Sequence, residues 1–218
     1  MSNLTSMHIA ISGNIGSGKT TLTTLLAKHY GWTPKYETVA ENPYLDLFYK
    51  DMKRWAFNLE VFFLKERFKA VLDVAQSEET IVQDRSIFEG VHIFSANNKD
   101  MGNLDDRDFD TYMELFEIMT SLVDAPDLLV YLRASVPHLV ENIRRRGRQF
   151  EQSIPIAYLE NLNRRYENFV GEKYPGKVLV IDVDDIDFLH NPTDFADIID
   201  RIEAELFGLF QDDNAVKS

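Results

Sequence analysis

The chain contains no cysteine. That excludes disulfides and thiolate chemistry, and it gives no sign of an oxidising compartment. It also lacks any apolar run of about 18 residues, the length a membrane span requires. Its start lacks the charged-then-apolar pattern of a secretory leader, so a cytoplasmic location is the expectation. Positive charge is scarce: 23 Lys and Arg stand against 36 Asp and Glu, a formal net charge of −13. Such a surface repels polyanions, which excludes a nucleic-acid polymer as partner. Repeats, low-complexity tracts and linkers are absent too. The 218 residues, 44% of them apolar, suit one well-buried α/β domain over residues 1–218. A loose start through residue 6 and a frayed polar tail over about 211–218 complete that expectation.

What the sequence does contain is the stretch Gly13-Asn14-Ile15-Gly16-Ser17-Gly18-Lys19-Thr20. An apolar run ending at Ser12 precedes it and reads as a buried strand. The segment Thr21–Tyr30 follows with apolar residues at helical spacing. Strand, glycine-rich turn and helix give a G-x-x-x-x-G-K-[ST] match its meaning. The glycines let successive N–H groups point inward at phosphate oxygens, and the helix N-terminus adds positive dipole at the same spot. Lys19 supplies a point charge for the β- and γ-phosphates, and Thr20 a hydroxyl for Mg²⁺. The chain is therefore expected to bind a nucleoside triphosphate.

Apolar, β-branched runs alternate with helical patterns: Met7–Ser12, Thr80–Gln83, Leu128–Leu132 and Val178–Ile181, with a weaker piece near Tyr36–Val39. Strands alternating with helices predict a parallel α/β sheet with helices on both faces. Ligands of such sheets sit at the carboxyl ends of the strands. Glu37 lies at such an end, where a carboxylate can take a proton from a hydroxyl attacking the γ-phosphate. Asp84 ends another strand, where it can order the metal with Thr20, a helix cap being the competing role. Arg85 beside it can hold the acceptor hydroxyl and the base.

Arg144-Arg145-Arg146-Gly147-Arg148 closes a helix that begins near Ser135. Cations there complement the helix dipole, but four exceed that need. Arg144, Arg146 and Arg148 are candidates for a mobile lid over the γ-phosphate, about residues 144–152. Glu151, just past it, can bind a substrate hydroxyl. A long helical region, about Asn42 to Gln76 and interrupted near Asp51, is apolar around its circumference in its second half. Glu60 and Arg67 fall on one face of it, roughly 10 Å apart. A planar ligand with donors and acceptors on its edge would satisfy both charges, with Phe63 and Phe94 against its faces. Plain core packing is the competing role for the two rings. A further helix is expected over about Asp105–Leu122.

Asn42-Pro43-Tyr44-Leu45, Trp55-Ala56-Phe57, Phe62-Phe63-Leu64, Arg67-Phe68, Asp84-Arg85-Ser86 and the arginine cluster, taken with the glycine-rich turn, resemble bacterial deoxyribonucleoside kinases over about residues 7–185. The resemblance implies a P-loop kinase fold with a five-stranded parallel sheet, and ATP-dependent 5′-phosphorylation of a deoxynucleoside with Mg²⁺, in salvage, by a homodimer. It implies Glu37 as general base, Arg85 at the 5′-hydroxyl, and Tyr49 and Glu151 at the 3′-hydroxyl. It puts position 60 at the base edge and Phe94 against the base. Two positions depart: Glu60 replaces a frequent Gln, and Gly90 stands where Asp is frequent. A carboxylate only accepts hydrogen bonds and Arg only donates. That combination favours a purine, guanine slightly ahead of adenine. The alternatives are a nucleoside-monophosphate kinase of the thymidylate type, which needs extra cations at the acceptor site, and a non-catalytic nucleotide-binding module, which needs neither base nor lid.

Overall fold

A computed structural model describes residues 6–39 and 41–208. The expected loose start lies almost wholly outside them, and the expected frayed tail lies wholly outside. Five parallel strands carry the fold: β1 (His8–Gly13), β2 (Thr33–Lys35), β3 (Ile81–Asp84), β4 (Leu128–Arg133) and β5 (Val178–Asp182). Their order in the sheet is β2-β3-β1-β4-β5. Ile9 of β1 stands opposite Val82 and Leu128, and Ile11 opposite Asp84 and Val130.

Alternation along the strands divides the core. Ile9, Ile11 and Val130 pack on one face with Leu22 and Leu26 of α1 (Lys19–Tyr30) and Ile198 and Ile202 of α8 (Pro192–Phe207). Ala10, Leu129 and Tyr131 face the other way, onto Leu59 of α3 (Met52–Ala75) and Leu162 and Tyr166 of α7 (Ile156–Asn168). Apolar residues on both faces explain why these strands read as continuous hydrophobic runs. A third cluster joins α3 through Leu64 and Val71 to α5 (Asp106–Thr120) through Tyr112 and Phe116. The remaining helices are α2 (Leu45–Lys50), α4 (Ala96–Asp100) and α6 (Val136–Arg146), and a wide π-turn over Gly90–Ser95 leads into α4.

The interruption expected near Asp51 is real. Asp51 ends α2, and its side chain accepts from Arg54 N at 3.1 Å to start α3. Ser135 caps α6 and Asp105 caps α5 in the same way. The strand expected near Tyr36–Val39 is corrected to Thr33–Lys35. β2 is an edge strand paired only with β3, so Pro34, which has no N–H to give to a second neighbour, is tolerated there. Tyr36–Val39 has left the sheet, and this frees Glu37 to turn inward.

Candidate active site

The strands are parallel, so their carboxyl ends point one way, and a cavity opens there. Its walls come from the turn after β1, the Glu37 segment, α3, the ends of β3 and α6, and Tyr158 of α7.

The glycine-rich turn is locked from below. Gly16 sits at φ 89°, and a Cβ there would lie 2.8 Å from Leu139 O of α6. Gly18, the N-cap of α1, sits at φ 95° with Phe188 2.9 Å from where a Cβ would be. Only glycine fits either place. Asn142 donates to Gly16 O at 2.8 Å. Asn14 is buried and fully engaged: it donates to Leu159 O and Asn163 Oδ1 of α7, and its own carbonyl accepts from Lys19 Nζ at 2.9 Å. Its side chain is therefore a strut, so any phosphate contact from Asn14 is through its backbone. Ile15, Gly16, Lys19 and Thr20 line the cavity. Burial, and then the charge of Arg85, pull Lys19 down to about 7, against the pull of Asp84, Glu89 and Glu37. Thr20 Oγ1 donates to Asp84 Oδ2 at 2.5 Å. The other oxygen, Asp84 Oδ1, is buried with no partner among the described residues.

Beyond the turn lies a dense ion network. Glu37 Oε1 accepts from Arg67 Nε at 3.1 Å and Nη2 at 2.5 Å, and Oε2 accepts from Arg85 Nε at 3.1 Å. Arg85 Nη1 donates to Glu89 Oε2 at 2.9 Å and to the Tyr166 hydroxyl. Tyr166 donates in turn to Glu89 at 2.8 Å. Glu89 Oε1 accepts from Ser86 N at 3.0 Å. Arg85 holds a positive φ of 71°, the one such non-glycine among the described residues, so this network fixes a costly backbone conformation. Burial raises the Glu37 carboxyl. The charges of Arg67 and Arg85 and the Arg67 hydrogen bonds outweigh it and bring the group down to about 2.

Three expectations are revised. Arg67 does not share a ligand edge with Glu60 by default; it is drawn onto Glu37. Glu60 turns instead to the π-turn and α4, accepting from Ser95 Oγ at 3.0 Å and Asn98 Nδ2 at 2.8 Å. Arg144 is exposed and does not line the cavity, whereas Arg146 and Arg148 do. Two helical residues are about 200° apart, so Arg144 and Arg146 point to opposite sides. Glu151 is also not a free carboxylate: Arg146 donates to it at 2.6 and 3.0 Å and Arg148 at 3.3 Å.

Tyr49, Phe63 and Phe94 line the cavity as expected. Tyr49 stacks on Phe150, and the Arg85 guanidinium lies 4.6 Å over the Phe94 ring. Sequence reading missed Glu89, Tyr166, Ser95 and Asn98. The Arg85–Glu89 pair had a signal, an i,i+4 spacing just past a strand end. The others meet their partners through tertiary packing alone.

The fold and this strand-end arrangement define a P-loop kinase. The deoxynucleoside kinase family model matches residues 9–207. The chain is 38% identical over 196 residues to the deoxyadenosine/deoxycytidine kinase of Bacillus subtilis, covering 89% of this chain and 90% of that one. It is 38% identical over 216 residues to a deoxyguanosine kinase of Lactobacillus johnsonii, covering 94% and 96%. A solved structure of deoxyadenosine kinase from M. mycoides with bound dATP superimposes with a TM-score of 0.81 at 31% identity, over 90% of this chain and all of that one. The chain belongs to the deoxynucleoside kinase family and is an enzyme of that kind.

Proposed function

We propose that this enzyme transfers the γ-phosphate of ATP to the 5′-hydroxyl of a purine deoxynucleoside, in nucleotide salvage. The observation that carries this is Glu37, a carboxylate held ionised by two arginines in the same cavity as Lys19 and Thr20. An ionised carboxylate can accept the hydroxyl hydrogen and aim its oxygen at the phosphorus. A group brought down to about 2 is a weak base, which suits a loose transition state in which the proton leaves late. Arg85 holds Glu37 in place and brings positive charge to the attacking oxygen. Lys19 and the backbone N–H groups of the turn hold the β- and γ-phosphates. Arg146 and Arg148 lie within reach of the transferring group from the lid side, and Glu151 keeps them there until substrate arrives. In this reading Tyr49 and Glu151 hold the sugar, and Phe63 and Phe94 flank the base.

The residues present fit Mg²⁺. Asp84 Oδ1 is a buried carboxylate oxygen lacking a partner among the described residues, and the Thr20 hydroxyl bonds the other oxygen of the same carboxylate. Hard oxygen donors that leave room for phosphate oxygens and water are what this ion takes. When bound, it would neutralise phosphate charge. Thr20 and Asp84 would hold it.

A monophosphate acceptor is disfavoured because the arginines at the acceptor end are already committed to Glu37, Glu89 and Glu151. A purine is favoured by Glu60 and by relatives named as deoxyadenosine and deoxyguanosine kinases. The reading includes one domain whose lid spans about 144–152, supported by a single five-stranded sheet. It also includes a homodimer, supported by Leu72, Ile118 and Leu122 exposed on and beside α3 and α5, and a cytoplasmic site, where ATP is supplied. ADP release measured with and without each deoxynucleoside and each deoxynucleoside monophosphate tests the proposal. Release that needs a deoxynucleoside supports it. Release equally fast without an acceptor, or only with a monophosphate, overturns it.

A further inference from the structure

The cavity has two ends. The turn after β1 fixes the phosphate end, so the aromatic-walled end near Glu60, Phe63, Phe94 and Tyr158 must take the base. Glu60 is 3% exposed there. Unlike Glu37, it accepts only from neutral donors, Ser95 Oγ and Asn98 Nδ2. Arg67, on the same helix, is committed to Glu37 through Nε and Nη2. Its third nitrogen, Nη1, is buried and without a hydrogen-bond partner among the described residues. It lies beside Gly90, where a Cβ would stand 3.5 Å from it.

We infer that the protonation state of Glu60 selects between the two purines, the neutral carboxyl being needed for adenine and the carboxylate favouring guanine. This rests on the deoxynucleoside kinase reading and adds what sets the choice of base. The edge of adenine shows an N6–H donor beside the N1 acceptor. A neutral carboxyl offers one O–H and one C=O and matches both. A carboxylate has no hydrogen to give, so its charge would face the N1 lone pair in a buried place. The edge of guanine shows N1–H and N2–H donors beside O6. The carboxylate accepts from both donors, and the neutral acid still pairs with N1–H and O6. Deoxyadenosine is therefore the substrate that suffers as Glu60 ionises.

Burial opposes ionisation of Glu60 most strongly, and the charge of Glu37 also opposes it. Arg67 on α3, Ser95 and Asn98 favour ionisation. Tyr112 on α5 and Tyr158 on α7 are buried phenols held neutral. The balance pushes the carboxyl up to about 7.

The test is internal competition. Deoxyadenosine and deoxyguanosine are supplied together with ATP and Mg²⁺, and the ratio of their kcat/KM values is read from about pH 6 to about pH 8. Titrations of Lys19 and ATP are common to both substrates and cancel, and neither purine titrates in that range. The guanine-to-adenine ratio should rise about tenfold, as the neutral fraction of a group titrating near 7 falls by that factor. Glu60→Gln fixes one donor and one acceptor, so its ratio should be flat and lean toward adenine. Ser95→Ala removes a donor that favours the carboxylate and should move the wild-type midpoint to higher pH. A flat wild-type ratio overturns the inference, as does a pH-dependent ratio that survives in Glu60→Gln. If both purines are phosphorylated at a constant ratio, only this inference falls; if neither is phosphorylated, the purine reading falls with it.

Discussion

Two buried glutamates line one cavity and are set to opposite purposes. Glu37 sits between two guanidinium groups and is held at about 2, while Glu60 sits among a hydroxyl, an amide and aromatic rings and is pushed up to about 7. Both lose water, so desolvation is not what separates them. The difference is whether a cation donates to the carboxylate. In the proposed reading, one environment keeps a permanent anion to aim a hydroxyl, and the other keeps a carboxyl that can give or accept a hydrogen at a base edge.

The contrast can be broken most severely at Arg85. Arg85→Met would leave Glu37 with one arginine and strand Glu89, which is 0% exposed. Removing one partner of a buried pair costs about 3–5 kcal/mol. Urea unfolding at neutral pH should show a loss of that size, and a change within error would mean that the network adds no stability. Glu37→Gln should retain the fold and ATP binding while turnover falls roughly 10²-fold or more. Near-normal turnover would move the role away from Glu37.

The same contrast has a pH signature in stability. Glu37 is depressed on folding, so its contribution is complete above the ordinary glutamate value of 4.5 and is lost as pH falls through about 2. Glu60 is raised, so its contribution is complete below 4.5 and is lost as pH rises through about 7. Glu60→Gln should therefore be more stable than wild type at about pH 8, by on the order of 2 kcal/mol, with the gap closing toward about pH 4.5. Melting curves at the two pH values check this, and a gap that widens toward acid would reverse the assignment. The smallest effect is expected at Arg144. Because it points away from the cavity, Arg144→Ala should leave kcat within about twofold, while Arg146→Ala, at a transition-state contact, should lower it by tenfold or more. Steady-state kinetics on both variants decide, and equal losses would restore Arg144 to the lid.

These expectations also mark how far the sequence could be read. The glycine-rich turn, Glu37, Asp84 and Arg85 were legible because each depends on local geometry at the end of a strand. Strand β2 was misplaced by three residues because Pro34 argues against a strand except at a sheet edge, and edge position is a tertiary fact. Glu60 and Arg67 were correctly put on one face of α3, since helical spacing alone decides that. Their partners were not legible. Which carboxylate Arg67 meets depends on how the segment after β2 crosses α3, and Glu60 finds Ser95 and Asn98 only because a π-turn carries them inward. Helix phase already separates Arg144 from Arg146, so their different placement was legible as well.

The most direct measurement is carbon-13 NMR of the side-chain carboxyls in glutamate-labelled enzyme across a pH titration, with Glu37→Gln and Glu60→Gln as assignments. The account predicts one resonance that titrates near pH 7 and vanishes in Glu60→Gln, and another that stays ionised down to about pH 3 and vanishes in Glu37→Gln. Both glutamates titrating together near their ordinary value would contradict it.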